Sequence, residues 1–127
     1  MSEPGDLYKQ GMQTRRAVLG DAHVDNTLTS QTPFEEDFQI LITEAAWGSV
    51  WSRPGLTKRE RSLITLALLA ALGHEDELGL HVRATANTGA TPADIAEALL
   101  HVAVYAGLPV AERGFAIAKA ELAKRES

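Results

Sequence analysis

The stretch KRERSLITLALLAAL, residues 58–72, decides the fold. From Leu63 to Leu72 only Thr65 interrupts the apolar run. That is longer than a usual strand and well short of the roughly 18 to 20 residues that span a bilayer. It reads as a helix, with Thr57 and Glu60 spaced as a capping box before it and Gly73 as its stop. A helix apolar around most of its circumference has to be covered on several sides.

Outward from this helix the same signals recur. Glu75 to about Asn87 forms the next helix, ending near Gly89, and Thr91-Pro92-Ala93-Asp94 opens another that runs to Gly107. That helix, 92–106, is as apolar as the first. Pro109 begins a last helix reaching about Arg125. Upstream, residues 6–19 form a helix stopped by Gly20, and 20–32 (GDAHVDNTLTSQT) is read mainly as loop. Thr32-Pro33-Phe34-Glu35 has capping-box spacing and starts a helix to about Trp51, which Pro54-Gly55 ends. The expectation is an all-α single domain, 1–127, of about six helices, with no strand. Two such apolar helices in so small a chain point to oligomer interfaces as well as a core.

Composition narrows the function. There is no cysteine, so catalysis has to rest on histidine, carboxylate, arginine or tyrosine groups. The net charge of −5 argues against a nonspecific nucleic-acid partner, which needs basic surface. No run is long enough for a membrane span, and MSEPGDLYKQ has no secretory pattern, so the cytoplasm is the expected compartment.

The polar groups concentrate at GHEDELGLHVR, 73–83. Glu77 and His81 are four apart, hence neighbours on one helical face, with His74 a turn earlier. Three readings stand open. The groups are metal ligands, although the HExxH spacing is absent; or Glu77 orients His81 as an acid–base pair; or His81 is a packed core histidine. His101 and Tyr105 are another i,i+4 pair, either buried and satisfying each other or lining a pocket. Trp47 and Trp51 form a stripe, Arg53 follows them before Pro54-Gly55, and His23 is read as a loop histidine.

Taken in order, RRAVLGDAHVD (15–25), TPFEEDFQ (32–39), AWGSVWSRPGL (46–56), the run 61–91 containing ALGHEDELGLHVRA (71–84), and LLHVAVYAGLP (99–109) resemble the carboxymuconolactone decarboxylase family. The resemblance covers nearly the whole chain. It implies an alkylhydroperoxidase-like helical fold built into trimers or hexamers. Redox members of that wider fold carry CxxC with a histidine four residues on. Their cysteines fall here at His74 and Glu77 and their upstream glutamate near Ser62, so thiol chemistry does not carry over. Ala106 stands where decarboxylases often have a cysteine.

The implied activity is decarboxylation of a carboxylated unsaturated lactone in aromatic catabolism, with no cofactor and no metal. On this resemblance His81 delivers a proton and Glu77 orients it. Arg53, Arg16 and Arg83 hold carboxylates, and His23, His101, Tyr105 and Trp51 line the substrate site. Arg83 ranks below the other arginines, because two residues along a helix turn it roughly 200° from His81. The alternatives are a relative acting on another lactone or keto acid, and a non-catalytic helical oligomer that binds a small metabolite.

Overall fold

The computed structural model describes residues 4–125; the N-terminal MSE, on which part of the reading of the leader rests, lies outside them. Within these residues the chain is all-α, with no strand, and no helix is long and apolar enough to cross a membrane. It forms two compact units, divided between Thr57 and Lys58.

The first unit holds α1 (Pro4–Leu19), α2 (Asp21–Ser30) and α3 (Glu36–Ile42), which runs on into a π-helical segment, Thr43–Trp51. The α2 helix replaces the expected loop. Its sequence is a poor helix former because its hydroxyls compete for the backbone. Here they bond back along the helix instead: Thr27 donates to the His23 carbonyl, Thr29 to Asp25 and Ser30 to Asn26. Fully buried Val24 anchors it, and Arg16 at the end of α1 pairs with Asp21 and Asp25. His23 is therefore a half-buried helical residue, not a loop histidine.

At Thr32 the box closes differently from expectation. Glu35 accepts from the Thr32 amide at 3.0 Å and from its hydroxyl at 2.6 Å, so the threonine donates instead of capping. These bonds hold the Glu35 carboxyl below its ordinary value, the hydroxyl bond most strongly. The result is a turn, and the helix starts at Glu36.

The switch to π geometry coincides with a close helix crossing. Gly11 of α1 lies against Thr43, so that a Cβ on Gly11 would sit 2.1 Å from the Thr43 carbonyl oxygen. Gly48 meets Leu7 at comparable range. Arg15, buried in this contact, donates to Thr43 Oγ1 at 3.1 Å and to Gln39 Oε1 at 3.0 Å. Ser52 donates to the Trp47 carbonyl five residues back, at 2.7 Å.

The second unit is α4 (Lys58–Leu72), α5 (Glu75–Thr88), α6 (Pro92–Tyr105) and α7 (Leu108–Lys124). The four glycines read as stops, Gly20, Gly73, Gly89 and Gly107, all adopt positive φ, between 77° and 116°. Thr91 and Asp94 form a true capping box: the Asp94 amide donates to Thr91 Oγ1 at 3.1 Å, and the Thr91 amide to Asp94 at 2.9 Å. Arg59 of α4 grips the same carboxylate with two nitrogens, at 2.7 and 2.8 Å. The core is Leu66, Leu78, Val82, Ile95, Leu99 and Val102 with small residues between.

Apolar side chains of this unit also remain exposed. Ile64, Leu68 and Leu72 at helical spacing on α4, and Leu100 and Val104 on α6 with Leu108 on α7, are each half exposed or more. Between α6 and α7 an apolar groove of about 740 Å³, lined by Ile95, Leu99, Phe115 and Leu122, carries only Lys119 as a charged group.

Candidate active site

α5 carries the polar groups, and its amphipathic winding sorts them. Leu78 and Val82 face the core, and His81 beside them is 7% exposed. Glu77, one turn earlier, is exposed, and His74 is exposed as the residue preceding the first turn. Among the described residues no group of three or more histidine, aspartate or glutamate side chains is arranged to hold a metal ion. Buried Ser62 has its hydroxyl 2.7 Å from that of Thr88.

Arg83 points away from His81, as the helical angle requires. Its guanidinium donates to Glu121 Oε1 of α7 at 2.8 Å, and Lys124 reaches the same oxygen at 3.1 Å. Burial pushes the Glu121 carboxyl up, but these hydrogen bonds outweigh it and hold it below its ordinary value. Glu75 pairs with Arg113 further back along the same two helices, so α5 and α7 run in the same direction. The sequence gives no signal for either pairing, since the partners are far apart along the chain.

His101 and Tyr105 correct the expectation of a buried pair. Both are exposed, with Tyr105 at 85%, and their rings stack at 6.2 Å between centroids and 9° between planes. They follow the exposed Leu100 and Val104 along α6.

In the first unit, the π-helical segment holds buried Trp47 against half-buried Trp51, ring centroids 5.1 Å apart. Thr14 of α1 shares a 2.7 Å hydrogen bond with Ser52, fixing the exit of the segment. Arg53 follows directly and is exposed. Arg16 is differently employed. It makes contacts of 2.8 Å to Asp25 and 3.1 Å to Asp21, and these bonds, Asp25 first, raise its pKa further.

The chemistry on view is that of a helical protein without thiols, with a histidine shielded from water and arginines already sorted by partner. The description of the family whose model matches residues 36–120 is the carboxymuconolactone decarboxylase family. Over 112 residues the chain is 48% identical to the 4-carboxymuconolactone decarboxylase of Acinetobacter baylyi, covering 88% of this chain and 84% of that one. It is 50% identical over 103 residues to the nitrosuccinic acid decarboxylase of Metarhizium robertsii, covering 81% and 72%. A 4-carboxymuconolactone decarboxylase of Pseudomonas putida matches at 56% over 41 residues, 32% of this chain and 85% of that one. The chain belongs to the carboxymuconolactone decarboxylase family.

Proposed function

We propose that the protein is a carboxy-lyase that converts 4-carboxymuconolactone to β-ketoadipate enol-lactone in protocatechuate breakdown. The carrying observation is the 48% identity to a decarboxylase of that name across most of both chains. The substrate is a γ-lactone with the departing carboxylate on its γ-carbon and a double bond conjugated to the lactone carbonyl. As the carbon–carboxylate bond breaks, its electron pair moves through the double bond to the carbonyl oxygen, giving carbon dioxide and a dienolate. A proton added at the α-carbon completes the enol-lactone. The substrate supplies its own electron sink, so the reaction asks for no organic cofactor or metal.

The protein's share is proton delivery and charge placement. His81, buried like Leu78 and Val82 on the same helix, is the proton donor, and Glu77 orients it. Arg53 is the carboxylate-binding arginine, with Trp51 beside it in the chain. Arg16 and Arg83 already hold carboxylates of the protein itself, and they rank below it. Both units act as one family domain, since the family match runs across the boundary between them.

The working form is a homo-oligomer, a trimer or hexamer, acting in the cytoplasm. The support is the exposed apolar side chains of Ile64, Leu68, Leu72, Leu100, Val104 and Leu108, which a monomer would leave in water. His101, Tyr105 and half-buried His23 are wall residues of lower rank. Light scattering tests the assembly; a monomer at micromolar concentration refutes it.

A second reading is favoured by the 50% identity to a nitrosuccinic acid decarboxylase. Nitrosuccinic acid is also a dicarboxylate, and its nitro group can accept the electron pair. Incubation with each acid separates the readings. Loss of lactone absorbance with carbon dioxide release selects the first, and release from nitrosuccinate alone selects the second. Saturable binding of the lactone with turnover of neither acid would mark a metabolite-binding oligomer and refute both.

A further inference from the structure

Arg125, which follows α7, reaches back to α5 at the turn that begins with Val82, next to His81. Its Nη2 donates to the Val82 carbonyl oxygen, to that of Arg83 at 3.0 Å, and to Thr85 Oγ1 at 2.7 Å. Thr85 Oγ1 donates in turn to the Val82 carbonyl at 2.6 Å, closing a triangle. Val82 and Thr85 are fully buried. Thr85 lies four residues after His81, so the triangle sits one turn along the same helical face.

These carbonyls need no cap. α5 continues to Thr88, so Val82 and Arg83 lie within its own ladder, outside the last four residues whose carbonyls a helix leaves open. A guanidinium spent on satisfied carbonyls adds no missing bond; it ties α5 to the end of α7 at one place. That place is beside the buried histidine.

We infer that Arg125 is a positioning residue that fixes the turn of α5 next to His81. The inference rests on the reading of His81 as the proton donor. Proton transfer to carbon requires the imidazole to be placed within a fraction of an ångström. Glu75–Arg113 and Arg83–Glu121 hold α5 on α7 elsewhere, and Arg125 is the tie at the turn that begins with Val82, next to His81.

The test uses the full-length protein, 4-carboxymuconolactone, and the variants Arg125→Ala, Arg125→Lys and His81→Asn. Arg125→Ala lowers kcat roughly tenfold with KM within about twofold, the pattern of a misplaced group rather than lost binding. Amide exchange at residues 82–87 quickens, and Arg125→Lys, which keeps a charged donor, restores most of kcat. Folded Arg125→Ala with parental kcat overturns the inference, as does a fall in kcat without faster exchange at 82–87. If Arg125→Ala does not fold, Arg125→Met keeps the apolar stem and removes all three bonds; parental kcat there has the same consequence. His81→Asn separates the two levels. Parental turnover in it removes the histidine and with it the role of Arg125. An inactive His81→Asn beside an unimpaired Arg125→Ala removes Arg125 alone.

Discussion

Substituting alanine for Gly11 tests the crossing of α1 over the π-helical segment. The new Cβ would lie 2.1 Å from the Thr43 carbonyl oxygen, 2.9 Å from the Gly48 amide nitrogen and 3.0 Å from the Thr43 carbonyl carbon. All three are backbone atoms, so no side chain can swing aside, and the helices must part by roughly 1 Å to reach ordinary contact. Helix propensity favours alanine by about 0.5–1 kcal/mol, whereas overpacking of this kind costs typically about 1–3 kcal/mol and sometimes more. A 2.1 Å approach to backbone puts the cost at the upper end, so the net expectation is a loss of about 2 kcal/mol, or a fall in melting temperature of roughly 5–10 °C.

Gly5, in the same helix, has nothing within 4 Å of its would-be Cβ, so Gly5→Ala is neutral or slightly stabilising. Both tryptophans, Trp47 and Trp51, lie in this unit, and urea unfolding followed by their fluorescence reports on it directly. Equal midpoints for Gly11→Ala and the parent, or equal effects of the two alanines, would refute the reasoning. Because the π-helical segment carries Trp51 and leads into Arg53, Gly11→Ala should also raise KM for the lactone.

Other perturbations give separate readings. His81→Ala keeps its circular dichroism and loses decarboxylation by roughly 10²-fold or more, the scale of general acid catalysis; parental turnover would remove it from the mechanism. Thr91→Ala loses the cap of α6 and about 1 kcal/mol of stability, read by denaturant unfolding. Asp94 is held well below the usual carboxylate range, first by Arg59 and then by the Thr91 amide. Its stabilising effect is therefore present above about pH 4 and is lost as pH falls towards the folded-state value; Asp94→Asn should flatten that acid limb. Leu99→Ala, at a core position 1% exposed, costs about 2–5 kcal/mol. Turnover should survive exhaustive chelation, and loss with recovery on adding a metal would revive the ligand reading of His74, Glu77 and His81.

Much of the second unit was legible from the chain itself. Gly73, Gly89 and Gly107 stop helices because a residue without Cβ takes positive φ at little cost, and the Thr91–Asp94 box forms within four residues. These are local energies, decided within a turn or two. A packed core histidine was one of three readings open for His81, and its burial beside Leu78 and Val82 is a result of the fold. The first unit was less legible, because its features depend on contacts between segments. α2 forms on a weak helical sequence once Val24 is buried and Arg16 gathers Asp21 and Asp25. The π-helical segment accompanies the approach of Gly11 to Thr43, and nothing in TEAAWGSVW marks it.

The sequence by itself determined the helices of the second unit, the absence of thiol chemistry and the family, since these follow from residue type and near spacing. Only the tertiary structure decided which arginine holds which group: Arg16 its two aspartates, Arg83 the buried Glu121, and Arg125 the turn beside His81. A guanidinium reaches whatever acceptor the fold brings within about 3 Å, and in Arg83 and Arg125 that acceptor lies some forty residues away in the chain.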